Sequence, residues 1–171
     1  MDDSDRRLIE SAAAGDEEAF AALFHRFRND VYRTARAITG SHEASLDVVQ
    51  ETFLKVHRHL AGWRGDAALR TWIVRIAVRT AIDVRRRAQR RREAVSDVEP
   101  SHDPRAAMDR AALLARLRET MRRLRGSQAD VLRLRLLGGY TNREVAEAMG
   151  LTEANVRMQL SKAVKRLKEM L

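Results

Sequence analysis

The chain has 171 residues, no cysteine, 33 lysines and arginines against 24 acids, and a formal charge of +9 with a pI near 11. This charge points to a polyanionic partner, and nucleic acid fits better than membrane because no segment approaches the ~20 apolar residues of a span. The lack of cysteine excludes disulfides and thiolate metal sites, and the polar, acidic start lacks the character of a secretory signal, so a cytoplasmic protein is expected. The charge is divided: residues 1–62 hold eight basic and eleven acidic side chains, leaving 25 basic and 13 acidic in 63–171. Two partners of different character are therefore expected.

A short helix over about 5–14 is followed by a longer one capped by Asp16 and stopped by Gly40. Phe20, Leu23, Phe24, Phe27, Val31, Ala35 and Ile38 fall on its core face. Ser41 opens a third helix to about Leu60, with Leu46, Val49, Phe53, Val56 and Leu60 as its buried seam. Its opposite face aligns Asp47, Glu51, Leu54 and Arg58 with Gln50 beside them, an acidic and apolar surface suited to a basic partner helix. An ordinary solvated face has the same periodicity.

Gly62 to Gly65 reads as a turn, and Asp66 as the cap of a helix that continues to Arg92. Leu69, Trp72, Ile73, Ile76, Ala77, Thr80 and Val84 form one stripe of this helix. Val74, Val78, Ala81 and Ile82 lie off that stripe, so the helix is expected to pack on two sides. Arg75, Arg79 and Arg86 share the remaining edge, and from Thr71 to Arg92 there are eight arginines against one aspartate. Residues 93–105 then carry four acids, one arginine and both prolines, the composition of a flexible linker. Two small helical domains follow from this boundary, 1–92 and 106–171, each expected to close its own core.

In the second domain Leu113, Leu114, Leu117, Met121 and Leu124 share a face. Gly126-Ser127 separates them from a helix over 128–137 that Ser127 is expected to cap, and Gly138-Gly139 breaks the chain again. Thr141-Asn142-Arg143-Glu144 has the form of a capping box, in which hydroxyl and carboxylate each satisfy an amide at the helix start. Val145, Ala146 and Met149 face inward on that helix. Gly150-Leu151-Thr152 makes the turn, with Thr152 as the next cap, and Val156, Leu160, Ala163 and Leu167 bury the last helix. This is a helix-turn-helix, whose outward residues Ala154, Arg157, Met158, Ser161, Lys162 and Lys165 would meet the major groove or its phosphates.

The segments GDEEAFAALFHRF, DVVQETFLKVHRHL, WRGDAALRTWIVRIA with its trailing arginines, and TNREVAEAMGLTEANVRMQLSKAVKRLKEML resemble, in that order and spacing, the extracytoplasmic-function sigma factors of bacterial RNA polymerase. The resemblance implies an all-α protein whose first domain is sigma region 2 and whose second is sigma region 4. It implies docking on the β′ clamp helices of core polymerase through Asp47, Gln50, Glu51, Leu54 and Arg58, with the β flap as a further polymerase contact. Phe53, in the same segment, is better explained as core. Recognition and melting of the minus-ten element would involve Trp63, Arg64, Arg75, Arg79, Arg85 and Arg86. Trp63 or Trp72 could stack on an unpaired base, although Trp72 lies on the buried stripe. Arg157, Met158, Ser161, Lys162 and Lys165 would read the minus-thirty-five element.

An anti-sigma protein is a further partner expected from the resemblance, with the free chain a monomer, no membrane insertion and no cofactor. Three positions depart from the family's pattern: Arg79 where asparagine is frequent, His57 where tryptophan is frequent, and Met158-Gln159 where serine-arginine is frequent. The rival reading is a helix-turn-helix regulator that never enters polymerase, which accounts for 106–171 and leaves the arginine helix unexplained. Enzymatic chemistry has no support, because the five histidines show no ligand spacing and no glycine loop cradles a phosphate.

Overall fold

The computed structural model describes residues 3–95, 120–121, 124 and 126–170. Among them are seven α-helices and no strand: α1 (Asp3–Ala13), α2 (Glu17–Thr39), α3 (His42–His59), α4 (Leu69–Val95), α5 (Ser127–Leu136), α6 (Asn142–Met149) and α7 (Glu153–Met170), with a 3-10 turn at Leu60–Gly62. The architecture is all-α. Leu113, Leu114 and Leu117 lie outside the described residues, as does most of the expected linker. Only its first three residues are described, and they continue α4 to Val95, beyond the expected end at Arg92.

The caps that start and stop α2 and α6 follow from single residues. The Asp16 carboxylate accepts from the Ala19 amide at 3.1 Å, and Gly40 ends α2 in the left-handed region, φ 71°. Thr141 and Glu144 form the full capping box of α6, and Gly150 closes that helix at φ 68°. Such a start contributes about 1 kcal/mol and fixes the register. The Thr152 hydroxyl accepts from the Asn155 amide at 3.2 Å and so begins α7.

Three local expectations are corrected. Asp66 does not cap α4: Gly65 turns the chain at φ 79°, α4 begins at Leu69, and the Ala68 carbonyl accepts the first helical bond from Trp72. Leu46 is half exposed, and Ser45, Val48 and Thr52 are buried on α3 in its place. The Ser45 hydroxyl donates to the Ser41 carbonyl and bonds Thr39, so a short polar side chain is satisfied where α3 lies close to α2. Ser127 is the first residue of α5 and not its cap; Gly126 holds that position at φ 85°, and the serine hydroxyl donates instead to Gln159.

α4 is buried on two sides. Leu69, Ile73 and Ala77 pack with Ile9, Leu23, Phe27, Val31, Phe53 and Val56, which closes a core among α1 to α4. Val74, Val78 and Ala81 belong to a second cluster with Ala35, Ile38 and Val48, and this cluster continues into Val131, Leu134, Tyr140, Val145, Ala146, Ala148 and Val156. A third cluster joins Met121, Leu124, Ala129, Leu132, Ala163 and Leu167. Two cores each closed within its own half were expected; one of the three clusters instead runs from one half into the other. The reason is the apolar second side of α4, which an all-round apolar helix must cover.

Candidate nucleic-acid interface

α7 is the simplest of the candidate surfaces. Val156, Ala163 and Leu167 are buried against the helices before it, which turns Ala154, Arg157, Met158, Ser161, Lys162 and Lys165 to solvent. All five expected minus-thirty-five residues therefore share one exposed face. Arg157 is steadied by Glu153 one turn earlier, at 3.8 Å. Gln159 points elsewhere, accepting from Ser127 and donating to Asn155, both at 2.8 Å, and so fastens α7 to α5.

On α3 the expected docking residues also share one side. Asp47, Gln50, Leu54 and Arg58 are exposed, with Leu54 at 51%. Glu51 is half-buried and engaged: Lys55 lies 2.8 Å away, Arg87 of α4 at 3.9 Å, and Lys55 donates onward to Thr80. An i,i+4 pair of this kind contributes a few tenths of a kcal/mol, so its carboxylate remains exchangeable. His57, on the neighbouring edge, meets the Phe20 ring edge-on at 4.9 Å between centroids.

The expected minus-ten residues divide into two groups. Arg64, Arg79 and Arg86 are exposed. Trp63 is half-buried on the first core, with its indole N–H buried and without a partner among the described residues. Arg75 and Arg85 face the other half of the chain. The Arg75 Nε donates to the Glu147 carbonyl at 3.1 Å, and both terminal nitrogens of Arg85 reach the Asp130 carboxylate, one of them at 2.9 Å. Trp72 is half-buried on the first core.

Between these groups lies a polar seam that local sequence patterns do not reveal. Arg70 donates to both carboxylate oxygens of Asp30, at 2.7 and 3.3 Å, and to Glu144 at 3.0 Å. The Asp30 hydrogen bond is the chief reason the Arg70 guanidinium is held even more firmly protonated than usual, against the opposing effect of burial. Glu144 is held below the usual carboxylate range, first by the Thr141 amide. Tyr140 stands beside them, its hydroxyl 2.6 Å from that of buried Thr34 and its ring under the Arg33 and Arg70 guanidinium groups at 5.2 and 5.9 Å. Tyr140 sits next to the double glycine, and Arg70 next to a core leucine. The charge pair across it, Arg70 with Glu144, becomes legible only once the two helices are known to be neighbours.

Comparison with known families identifies the two halves of the sequence. Residues 23–91 match Sigma-70 region 2, and residues 114–167 match Sigma-70 region 4. The chain is 31% identical over 169 residues to the ECF RNA polymerase sigma factor SigM of Mycobacterium tuberculosis, covering 98% of this chain and 85% of the relative. It is 33% identical over 174 residues to the ECF RNA polymerase sigma-E factor of Escherichia coli K12, covering 94% and 90%. The solved structure of CnrH in complex with the cytosolic domain of CnrY is similar at a TM-score of 0.68 and 26% identity, covering 98% of this chain and 97% of that one. A regulator built on a helix-turn-helix alone has no counterpart to the match over 23–91. With both sigma regions in order and a third of its residues shared with a full-length relative, the chain belongs to the extracytoplasmic-function sigma factors, which bind core RNA polymerase and direct promoter-specific initiation.

Proposed function

We propose that the work of initiation is divided among three surfaces of this sigma factor. Asp47, Gln50, Glu51, Leu54 and Arg58 on α3 dock on the β′ clamp helices. Trp63, Arg64 and the arginines of α4 hold the melted minus-ten strand, and Arg157, Met158, Ser161, Lys162 and Lys165 on α7 read minus-thirty-five duplex. Residues 1–92 and 106–171 act as the two working units, joined by 93–105.

The observation that carries this reading is the mixed face of α3. Leu46 and Leu54, each about half exposed on α3 with Asp47 and Arg58 beside them, make a small apolar patch of the kind a partner covers. Carboxylates at its edge can form charge-assisted bonds with basic groups, and an apolar centre supplies the desolvated contact that such bonds need. On α7 the exposed lysines and arginine provide phosphate attraction, with the shorter Ser161 between them placed for a base edge. Polymerase and promoter DNA are the working partners, and the reaction chemistry belongs to polymerase.

None of the described helices is long and apolar enough to cross a membrane, and the chain acts in the cytoplasm, as a monomer when free. An anti-sigma protein is its regulator. Support comes from the structural relative CnrH, solved with the cytosolic domain of CnrY.

The test uses core polymerase and a candidate promoter with no other initiation factor present. The intact chain supports initiation and open-complex formation. Asp47→Ala combined with Glu51→Ala weakens core binding by roughly tenfold or more, the loss of about one charge-assisted bond, while duplex minus-thirty-five binding stays within twofold. Equal loss of both activities would refute the assignment of α3.

A further inference from the structure

The outward face of α7 is short of the groups that ordinarily tell bases apart by hydrogen bonding. Of the helix's two side-chain amides, Gln159 donates to the Asn155 carbonyl oxygen and accepts from Ser127, both at 2.8 Å. Neither amide then presents the paired oxygen and nitrogen with which asparagine or glutamine holds adenine. Arg157 can reach guanine or a phosphate, and Lys162 and Lys165 carry charge that phosphate takes from any sequence. What remains near the start of the helix is apolar. Ala154 and Met158 are both exposed, one turn apart on the same face, and Met158 leaves 49% of its surface to water.

Packing within the chain gives no reason for a methionine there, because Val156, Ala163 and Leu167 are the residues that bury α7. The first turns of a recognition helix are the part that meets base edges. In the major groove the apolar mark on a base pair is the thymine C5-methyl group, and an unbranched thioether adapts its shape to such a contact. We propose that Met158, with Ala154 beside it, reads a thymine methyl in the minus-thirty-five duplex, so that one base pair is chosen by apolar contact in place of a hydrogen bond. The inference rests on the reading of α7 as the minus-thirty-five helix. Lys162 and Lys165 on phosphates set the height of the helix in the groove, and the methyl then displaces water from the thioether. Cytosine at the same place offers an amino donor, which a thioether accepts only weakly.

The test removes the methyl and nothing else. Selection from random duplex DNA by the intact chain gives its minus-thirty-five site, and each thymine of that site is replaced in turn by deoxyuridine. This keeps the base pair and its hydrogen bonds. Fluorescence anisotropy at fixed salt then gives the affinities. For the parent chain one thymine, or two neighbouring ones, is expected to lose roughly fourfold on replacement, the worth of one buried methyl group, with the other thymines little changed. Met158→Leu should keep this discrimination. Met158→Ser should bind the thymine and deoxyuridine duplexes alike, with the salt dependence of the parent chain because the phosphate contacts are untouched. The position is exposed, so neither substitution disturbs the core.

A selected site in which no thymine is sensitive to loss of its methyl overturns the proposal and leaves α7 standing as the reader. A Met158→Ser chain that keeps the parent's ratio of thymine to deoxyuridine affinity overturns it too, since the methyl would then be read by another residue. Selection that returns no preferred sequence would refute the minus-thirty-five reading itself, and the methyl contact with it.

Discussion

Asp130→Ala is the severest single test of how the two halves are held. The carboxylate is 2% exposed and lies between two guanidinium groups, Arg133 at 3.0 Å and Arg85 at 2.9 Å. Arg133 is itself 3% exposed and donates its other nitrogen to the Met121 and Leu124 carbonyls. Burial pushes the Arg133 pKa down, the nearby Arg85 charge pushes it the same way, and Asp130 opposes both. Without the carboxylate, one buried cation loses its counterion and faces a second cation at close range. Removing one member of a buried pair costs about 3–5 kcal/mol, a large share of the roughly 5–15 kcal/mol that stabilises a domain.

Arg85→Ala gives the contrast. Its side chain is 18% exposed and its loss leaves Asp130 paired with Arg133, so the cost falls to about 1 kcal/mol. Replacing Asp130 and Arg133 together by leucine and methionine recovers most of the deficit, because the fully buried cation leaves with its partner and Arg85, 18% exposed, can turn toward solvent. Urea unfolding followed by helical circular dichroism reads these values. With a slope of about 2 kcal/mol per molar, Asp130→Ala moves the midpoint by roughly 2 M. A variant no less stable than Arg85→Ala would refute the reasoning, since it would mean that the Arg133 charge is not confined in a dry site.

Two further outcomes follow from the same seam. Glu144 is held below the ordinary carboxylate range by the Thr141 amide and hydroxyl and by Arg70, so its contribution is full above its unfolded value of about 4.3 and is lost as pH falls through the lower folded value. Acid titration of Glu144→Gln should therefore show a smaller loss of stability below about pH 4.3 than the parent chain, and parallel curves would contradict the assignment. At Gly138 an added Cβ would stand 2.7 Å from the Leu134 carbonyl oxygen and 2.9 Å from the Tyr140 ring. Gly138→Ala should cost about 1–3 kcal/mol by forcing that ring away from Thr34, and an unchanged thermal midpoint would show that the ring has room to move.

Much of the fold is legible because helix ends are local chemistry. Asp16, Ser41, Thr141 with Glu144, and Thr152 each announce a start through one side chain and the amide two or three residues on. The reading face of α7 follows once its buried positions are known. α4 could be read as packing on two sides, since Val74, Val78 and Ala81 are apolar whatever covers them. What covers them could not be read, because Tyr140, Val145 and Ala148 carry no mark of a partner some seventy residues away. Leu46 was misplaced for a related reason: periodicity ranks a leucine above a serine for burial, but Ser45 finds hydroxyl and carbonyl partners at the α2–α3 crossing. Asp66 was misplaced because a good capping side chain must also have the right backbone, and the turn at Gly65 delays α4 to Leu69. Of the residues read on the polar edge of α4, Arg79 and Arg86 are exposed while Arg75 faces the Glu147 carbonyl, and Arg85, expected among the minus-ten arginines, faces the Asp130 carboxylate.

The two-sided burial of α4 also gives its second contact a temperature dependence. Beneath the ion pairs, the contact is Val74, Val78 and Ala81 against aliphatic and aromatic carbon. Parting it hydrates apolar surface, with a positive heat-capacity change, so the attraction weakens on cooling as well as at high temperature. The more exposed Arg70–Glu144 pair at the rim responds instead to ionic strength. Cold and salt therefore loosen different parts of one boundary, and together they leave α4 with a dry face on one side and a wet one on the other.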